Sequence, residues 1–296
     1  MTGPERGFLL LSSCLGDPDR RPLSTAQMRL LAQRSWQLDH GQERDLEQKD
    51  LTALGYGPEM ARRILALLDQ DELLDHYLRA GRKTGCVPLT RVSEGYPMAL
   101  RRRLGLDSPG VLWAKGDLSL LKMPSISLVG SRELQPGNQA FAAEAGRQAA
   151  AQSYVLVSGN ARGADRAAQE SCLRHGGRVI IVVADELAKQ PNQEGVLYLS
   201  EEDFDLSFSA QRALSRNRVI HALGSKTLVA QCSLETGGTW DGTVKNLRFG
   251  WSPVFCFDDG SPAAARLHQM GAALTDTCSL SDLSALASEH PSLFDQ

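Results

Sequence analysis

The chain has 296 residues, 42% of them hydrophobic and 23% charged, with a formal net charge of −3 and a pI near 6.1. This length accommodates two domains, or one large α/β domain with an appendage, and the composition can bury a sizeable core. The slightly acidic balance excludes a generic polyanion-coating protein, so any nucleic-acid binding must come from a focused basic site.

Six scattered cysteines without a Cys-x-x-Cys pair read as buried free thiols of a reducing cytosol, and the dispersed histidines offer no metal-ligand spacing. The apolar stretch at 7–14 is too short for a signal peptide and lacks a cationic start, and no run approaches the length of a membrane span. The expected location is cytoplasmic, with no metal, cofactor or membrane contact.

Residues 1–85 read as a small all-α domain. Apolar residues at helical spacing over 23–38 predict a helix, with Ser24 and Thr25 as candidate caps. Over 51–68 the pattern is helix, a tight Gly55-Tyr56-Gly57 turn, Pro58 in the first turn of a new helix, then an apolar stripe. This resembles a helix–hairpin–helix. Its turn could touch a DNA phosphate flanked by Arg62 and Arg63, or it could simply pack.

Residues 86–124 are expected to form a connector, marked by Tyr96-Pro97, Pro109-Gly110 and Lys115-Gly116-Asp117. Its Arg101, Arg102 and Arg103 fit a solvated helix face or, near the phosphate domain, a contact to a DNA strand.

From 125 to 280 apolar runs at 126–129, 154–157, 178–184, 196–199, 226–231, 253–257 and 272–274 alternate with helical patterns at 138–151, 164–175, 208–223, 239–248 and 261–270. That alternation predicts an α/β fold with a doubly wound, mostly parallel sheet. Residues 281–296 are expected to form a C-terminal helix and tail.

Within this region four elements point to an anionic ligand. The first is Gly130-Ser131-Arg132, where a strand ends in a glycine that admits a ligand, a hydroxyl and a guanidinium fork suited to phosphate. The second is the turn from Ser158 to Asp165: Gly159 and Gly163 again clear space, Arg162 supplies a second fork, and Asp165 can cap the next helix. Loops from two neighbouring strands then make one pocket at the topological switch point.

Third, Arg212, Arg216 and Arg218 bracket Asn217 and read as a basic wall, or as a surface helix salt-bridged to Glu201, Glu202, Asp203 or Asp205. Fourth, Gly237, Gly238 and Thr239 open a helix and form another anion cradle, with Trp240 either stacking on a base or filling the core. No Walker loop, Gly-x-Ser-x-Gly elbow or paired Cys/His arrangement accompanies them, so no catalytic residue is assigned.

These elements, in this order, resemble the DprA/Smf (DNA-processing protein A) family. Gly130-Ser131-Arg132 matches its Gly-Ser/Thr-Arg turn, and Ser158-Gly159 with Arg162, Gly163 and Asp165 matches its Ser-Gly-x-Ala-x-Gly-x-Asp. Arg216-Asn217-Arg218 matches its Arg-Asn-Arg, and Tyr96-Pro97 with Lys115-Gly116-Asp117 its upstream pattern.

The resemblance implies a Rossmann-like fold preceded by a helix-hairpin-helix or SAM-like domain. It implies a non-enzymatic, dimeric protein that binds and protects single-stranded DNA and loads a RecA-type recombinase during natural transformation. Arg132 and Arg162 would hold phosphates, Gly130, Ser131, Gly159 and Gly163 would donate backbone contacts, and Arg216, Asn217 and Arg218 would extend the groove. The sequence departs at the short acidic stretch after Val183 and at Thr236-Gly-Gly-Thr-Trp240. The latter is closer to the glycine loop of the related LOG phosphoribohydrolases. The alternative is a nucleotide-binding sensor or LOG-like nucleoside-monophosphate phosphoribohydrolase, in a defence system.

Overall fold

The computed structural model describes residues 1–35 and 46–287. In its first part five helices precede the sheet: α1 (Gly3–Ser12), α2 (Thr25–Ser35), α3 (Gln48–Ala53), α4 (Pro58–Leu68) and α5 (Asp71–Lys83). Ser24 begins α2 as expected, its hydroxyl accepting from the Gln27 N–H at 3.3 Å; positions 36–38 of the predicted helix lie outside the described residues. The α3–α4 turn has Gly55 at φ +79, and Arg34 ties it inward by donating to the Gly55 carbonyl (3.2 Å) and covering the Tyr56 ring at 4.6 Å. Arg63 likewise turns inward, onto the carbonyls of Arg21 and Pro22.

The stretch 86–124 is more than the connector expected of it. It carries β1 (Cys86–Thr90), α6 (Met98–Leu104) and β2 (Val111–Gly116), and both strands join the main sheet antiparallel. Short strands broken by proline and glycine carry a weak periodic signal; Pro88 is tolerated because β1 is an edge.

The alternating region follows the prediction closely: β3 (Ser125–Val129), α7 (Pro136–Ala151), β4 (Val155–Ser158), α8 (Ala164–Arg174), β5 (Arg178–Val182), β6 (Val196–Ser200), α9 (Ala210–Ser215), α10 (Asn217–Leu223), β7 (Thr227–Val229), α11 (Gly237–Phe249), β8 (Val254–Phe257), α12 (Pro262–Gln269) and β9 (Ala273–Thr275). The helix anticipated over 208–223 is two helices that meet at Arg216. After β9 the described chain has only a 3-10 turn, Ser279–Ser281, in place of the expected helix, and 288–296 lie outside the described residues.

One nine-stranded sheet results, in the order β1-β2-β6-β5-β4-β3-β7-β8-β9, with β3 to β9 parallel to one another. Apolar side chains of each strand alternate between two cores. On one face Ile126, Leu128, Leu156 and Val179 meet Phe141, Ala145 and Ala149 of α7 and Ala168 and Cys172 of α8. On the other, Val155, Val157, Val229 and Val254 meet Leu100 of α6, Val219 and Ile220 of α10, Trp240 of α11 and Leu267 of α12.

The first core also takes in Leu9 and Leu10 of α1 and Leu74, Tyr77 and Leu78 of α5, which close on Trp113 and Phe204. Tyr77 stacks on Phe204 (4.6 Å between centroids) and meets Trp113 edge-on at 5.5 Å. A third, smaller cluster (Leu11, Leu23, Leu31, Leu51, Ala61, Ile64 and Leu67) belongs to the helical region alone. No helix among the described residues is long and apolar enough to cross a membrane.

Candidate nucleic-acid interface

Helix α7, following β3, packs on one face of the sheet, whereas α11, following β7, packs on the other. The switch point therefore lies between β3 and its neighbour β7, and the carboxyl end of β4 adjoins it. Three loops converge here. The Ser131 N–H and hydroxyl both donate to the Gln231 carbonyl beyond β7, at 2.9 and 3.2 Å. The Ala164 N–H at the start of α8 donates to the Ser131 carbonyl at 3.1 Å.

The glycines of these loops serve a different end from the one their sequence suggests. A Cβ on Gly163, whose φ is +79, would fall on the carbonyl oxygens of Ser131 and Arg132, and one on Gly130 would meet the methyls of Ala164 and Ala230. At Gly159 the space is filled by the guanidinium of Arg216. These positions let the loops close on one another rather than opening room for a ligand.

What faces outward is the pair Arg132 and Arg162, both exposed and both without a hydrogen bond or ion pair among the described residues. Beneath them Arg216 is 8% exposed, and its Nε has no hydrogen-bond partner among the described residues. Burial pushes the Arg216 pKa down, opposed by the charges of Asp165, Glu201 and Asp185. Asp165 does not cap α8 from the cap position, which Gly163 holds; its carboxylate reaches back to the Ala161 N–H at 3.1 Å. Burial raises its pKa, with the Arg216 and Arg132 charges and the backbone N–H groups acting the other way.

The basic wall expected from Arg212, Arg216 and Arg218 is not built as such. Arg212 is buried and turns inside, donating to the carbonyls of Ala184, Leu206 and Ser207 and to the Ser200 hydroxyl, with Glu202 at 3.1 Å. Arg218 pairs with Glu201 at 3.1 Å and donates to the Asp107 carbonyl. A guanidinium in the interior needs its N–H groups satisfied, and the acids just upstream are at hand to do it. Ser158 is likewise withdrawn, its buried hydroxyl accepting from Gln169 at 2.6 Å.

Asn217 bridges two elements: its Oδ1 accepts from Arg216 at 3.2 Å and its Nδ2 donates to the Gly238 carbonyl at 3.0 Å. There α11 starts with Gly237 at φ +85 and without a side-chain cap, so Gly237, Gly238 and Thr239 present the helix N-terminus. Trp240 is 7% exposed within the core, which settles it as packing.

Sequence reasoning missed Gln231 and Asn138. Gln231 Oε1 accepts from the Gln135 N–H at 2.9 Å and its Nε2 faces the Glu133 carbonyl, so it clamps the loop that carries Arg132. Asn138 ties α7 to the end of β7 through the Ala230 carbonyl and to Asp259, at 2.8 and 2.7 Å. An amide just past a strand end at a switch point is the available signal. Among the described residues no cluster of His, Cys, Asp and Glu could hold a metal ion.

The sequence profile of the family described as DNA recombination-mediator protein A matches residues 88–282. DNA processing protein DprA of Streptococcus pneumoniae is 32% identical over 141 residues, covering 44% of this chain and 50% of that protein. The X-ray structure of DprA from S. pneumoniae superposes with a TM-score of 0.71 at 23% identity, over 95% of this chain and 96% of that one. That of DNA processing protein A from Helicobacter pylori, whose description concerns its single-stranded DNA binding mode, gives 0.54 at 24% identity, over 64% and 90%. The chain spans about half the length of the curated relatives it matches. By the extent of the profile match, about two thirds of its length, the chain belongs to the DNA recombination-mediator protein A family.

Proposed function

We propose that the outer surface of the switch-point loops binds the phosphates of single-stranded DNA without chemical turnover. One observation carries this: Arg132 and Arg162 stand exposed on adjoining loops, neither hydrogen-bonded nor ion-paired among the described residues, above the buried charge of Arg216. Two planar forks on adjoining loops suit a sugar-phosphate backbone, and among the described residues neither is ion-paired with a carboxylate. The H. pylori relative's described single-stranded DNA binding supports the same reading. On this basis the protein shields a strand and passes it to a RecA-type recombinase, acting as a cytoplasmic homodimer in DNA uptake or recombination.

The test is fluorescence anisotropy with oligo-dT, duplex DNA and AMP over a salt series, on the natural protein and on Arg132→Ala. Salt-sensitive binding to oligo-dT that collapses in the variant is the expected result. Binding of AMP with indifference to oligo-dT overturns the reading in favour of a nucleotide pocket.

A further inference from the structure

On the β7 side of the switch point a cleft of about 550 Å³ opens between α11 and the facing edges of α6, α9 and α10. Its size is that of a small-molecule site. Its near end is formed by Asn217 and Gly238, and its far end by Lys245, Phe249 and Trp251.

Three features distinguish it from a packing defect. Phe249 is 51% exposed, yet its ring lies nearly parallel to Trp251, 5.7 Å away at 16°, so a flat aromatic surface is braced from behind. Lys245, one turn earlier on α11, has no hydrogen-bond or ion-pair partner among the described residues. Arg248 lies 5.5 Å over the Phe249 ring and has no hydrogen bond or ion pair among the described residues, so it can yield to a ring placed there or reach a phosphate beside it. Two carboxylates line the cleft; Asp107 is paired with Arg29 at 2.9 Å, which leaves Asp241 against the cations.

A chain of contacts links the cleft to the loops that carry Arg132 and Arg162. Arg216 lies against Gly159 of the β4 loop and contacts Asn217, which in turn contacts Gly238 at the mouth of the cleft.

We propose that this cleft is a second nucleotide subsite, in which a strand leaving the Arg132–Arg162 pocket stacks a base on Phe249 and sets a phosphate against Lys245. The inference rests on the single-stranded DNA reading. An aromatic face with adjacent cations is the chemistry by which a strand is held regardless of sequence.

The experiment compares Phe249→Ala, Phe249→Tyr and Lys245→Ala with the natural protein, binding oligo-dT of increasing length over a salt series. Thermal melts accompany each variant, and photo-crosslinking from iodouracil-substituted oligonucleotides locates the strand. Phe249→Ala is expected to weaken binding of the longer oligonucleotides about ten-fold and to spare the shortest, with Phe249→Tyr restoring it. Lys245→Ala is expected to lower the logarithmic salt slope by about 0.7, one phosphate's worth. Crosslinks are expected within 245–251. If Arg132→Ala abolishes binding while the Phe249 and Lys245 variants leave affinity and slope unchanged, the subsite is overturned and the first pocket stands. If Phe249→Ala removes AMP binding without touching oligo-dT, the cleft takes a free nucleotide and the strand path is overturned. If the natural protein ignores oligo-dT, both proposals fall together.

Discussion

The guanidinium of Arg216 occupies the space that any side chain at residue 159 would need. The pairing joins a buried charge on the α9–α10 junction to the turn that follows β4, so each fixes the other. Gly159→Ala is therefore expected to displace Arg216, costing about 1–3 kcal/mol of stability and most of the affinity for oligo-dT. Arg216→Ala in the same background removes the overlap, so the two stability losses should be far from additive. Thermal melts of the four forms give the answer; simple addition of the two losses would show that the contact carries no energy.

Arg132 and Arg162 should each contribute about one phosphate contact. Replacing either by alanine is expected to reduce the logarithmic salt slope of oligo-dT binding by about 0.7. Lysine at the same positions should keep the slope and lose part of the affinity, because a point charge replaces a fork. Anisotropy titrations at four salt concentrations separate these outcomes, and a slope unchanged by alanine would remove the residue from the interface.

Gln231→Ala leaves the Gln135 N–H without its acceptor while the backbone bond from Ser131 to the Gln231 carbonyl persists. Faster amide exchange is expected at Gln135, with Ser131 unaffected, and a local loss of about 1 kcal/mol. Affinity for oligo-dT should fall less than in Arg132→Ala. Equal exchange at Gln135 in both proteins would mean that the clamp does not hold the loop.

His221 lies fully inside, against Asn246 at 3.1 Å, and burial lowers its pKa to about 3. The neutral form is the folded form, so the unfolded chain binds the extra proton between pH 6.5 and about 3. Stability tied to this group is complete above pH 6.5 and drains as pH falls towards 3, by roughly 2–3 kcal/mol at pH 4.5. Buried Asp165 and Asp203, raised by desolvation, act in the opposite direction, so the measurement compares slopes. Denaturant melts of the natural protein and His221→Gln from pH 7 to 4.5 should converge as pH falls; parallel curves would rule His221 out as a source of the pH dependence.

The alternation of strands and helices from β3 onward was legible because β3 to β8 are buried on both faces and read as apolar runs punctuated by glycine. The edge pair β1 and β2 was not, since Pro88 and the turns at 93–97 and 105–110 interrupt any period. At the site, Arg132 and Arg162 stand where their spacing suggested, on loops at strand ends. Arg212 and Arg218 did not, because sequence shows a guanidinium but not whether a carbonyl or carboxylate from elsewhere meets it. The glycines misled for a related reason. A missing side chain is equally consistent with a ligand and with another piece of backbone, and Gly163 has the carbonyls of Ser131 and Arg132 against it.

The closure of Tyr77 and Leu74 on Trp113 and Phe204 bears on how the molecule comes apart. An N-terminal region that shares its aromatic centre with the sheet is no detachable module: stripping it away would bare a large apolar surface to water. Heating should accordingly produce one cooperative transition, seen alike by far-ultraviolet and aromatic circular dichroism. A fragment beginning at residue 86 should be prone to aggregate, so the helices ahead of the sheet are a condition of its solubility.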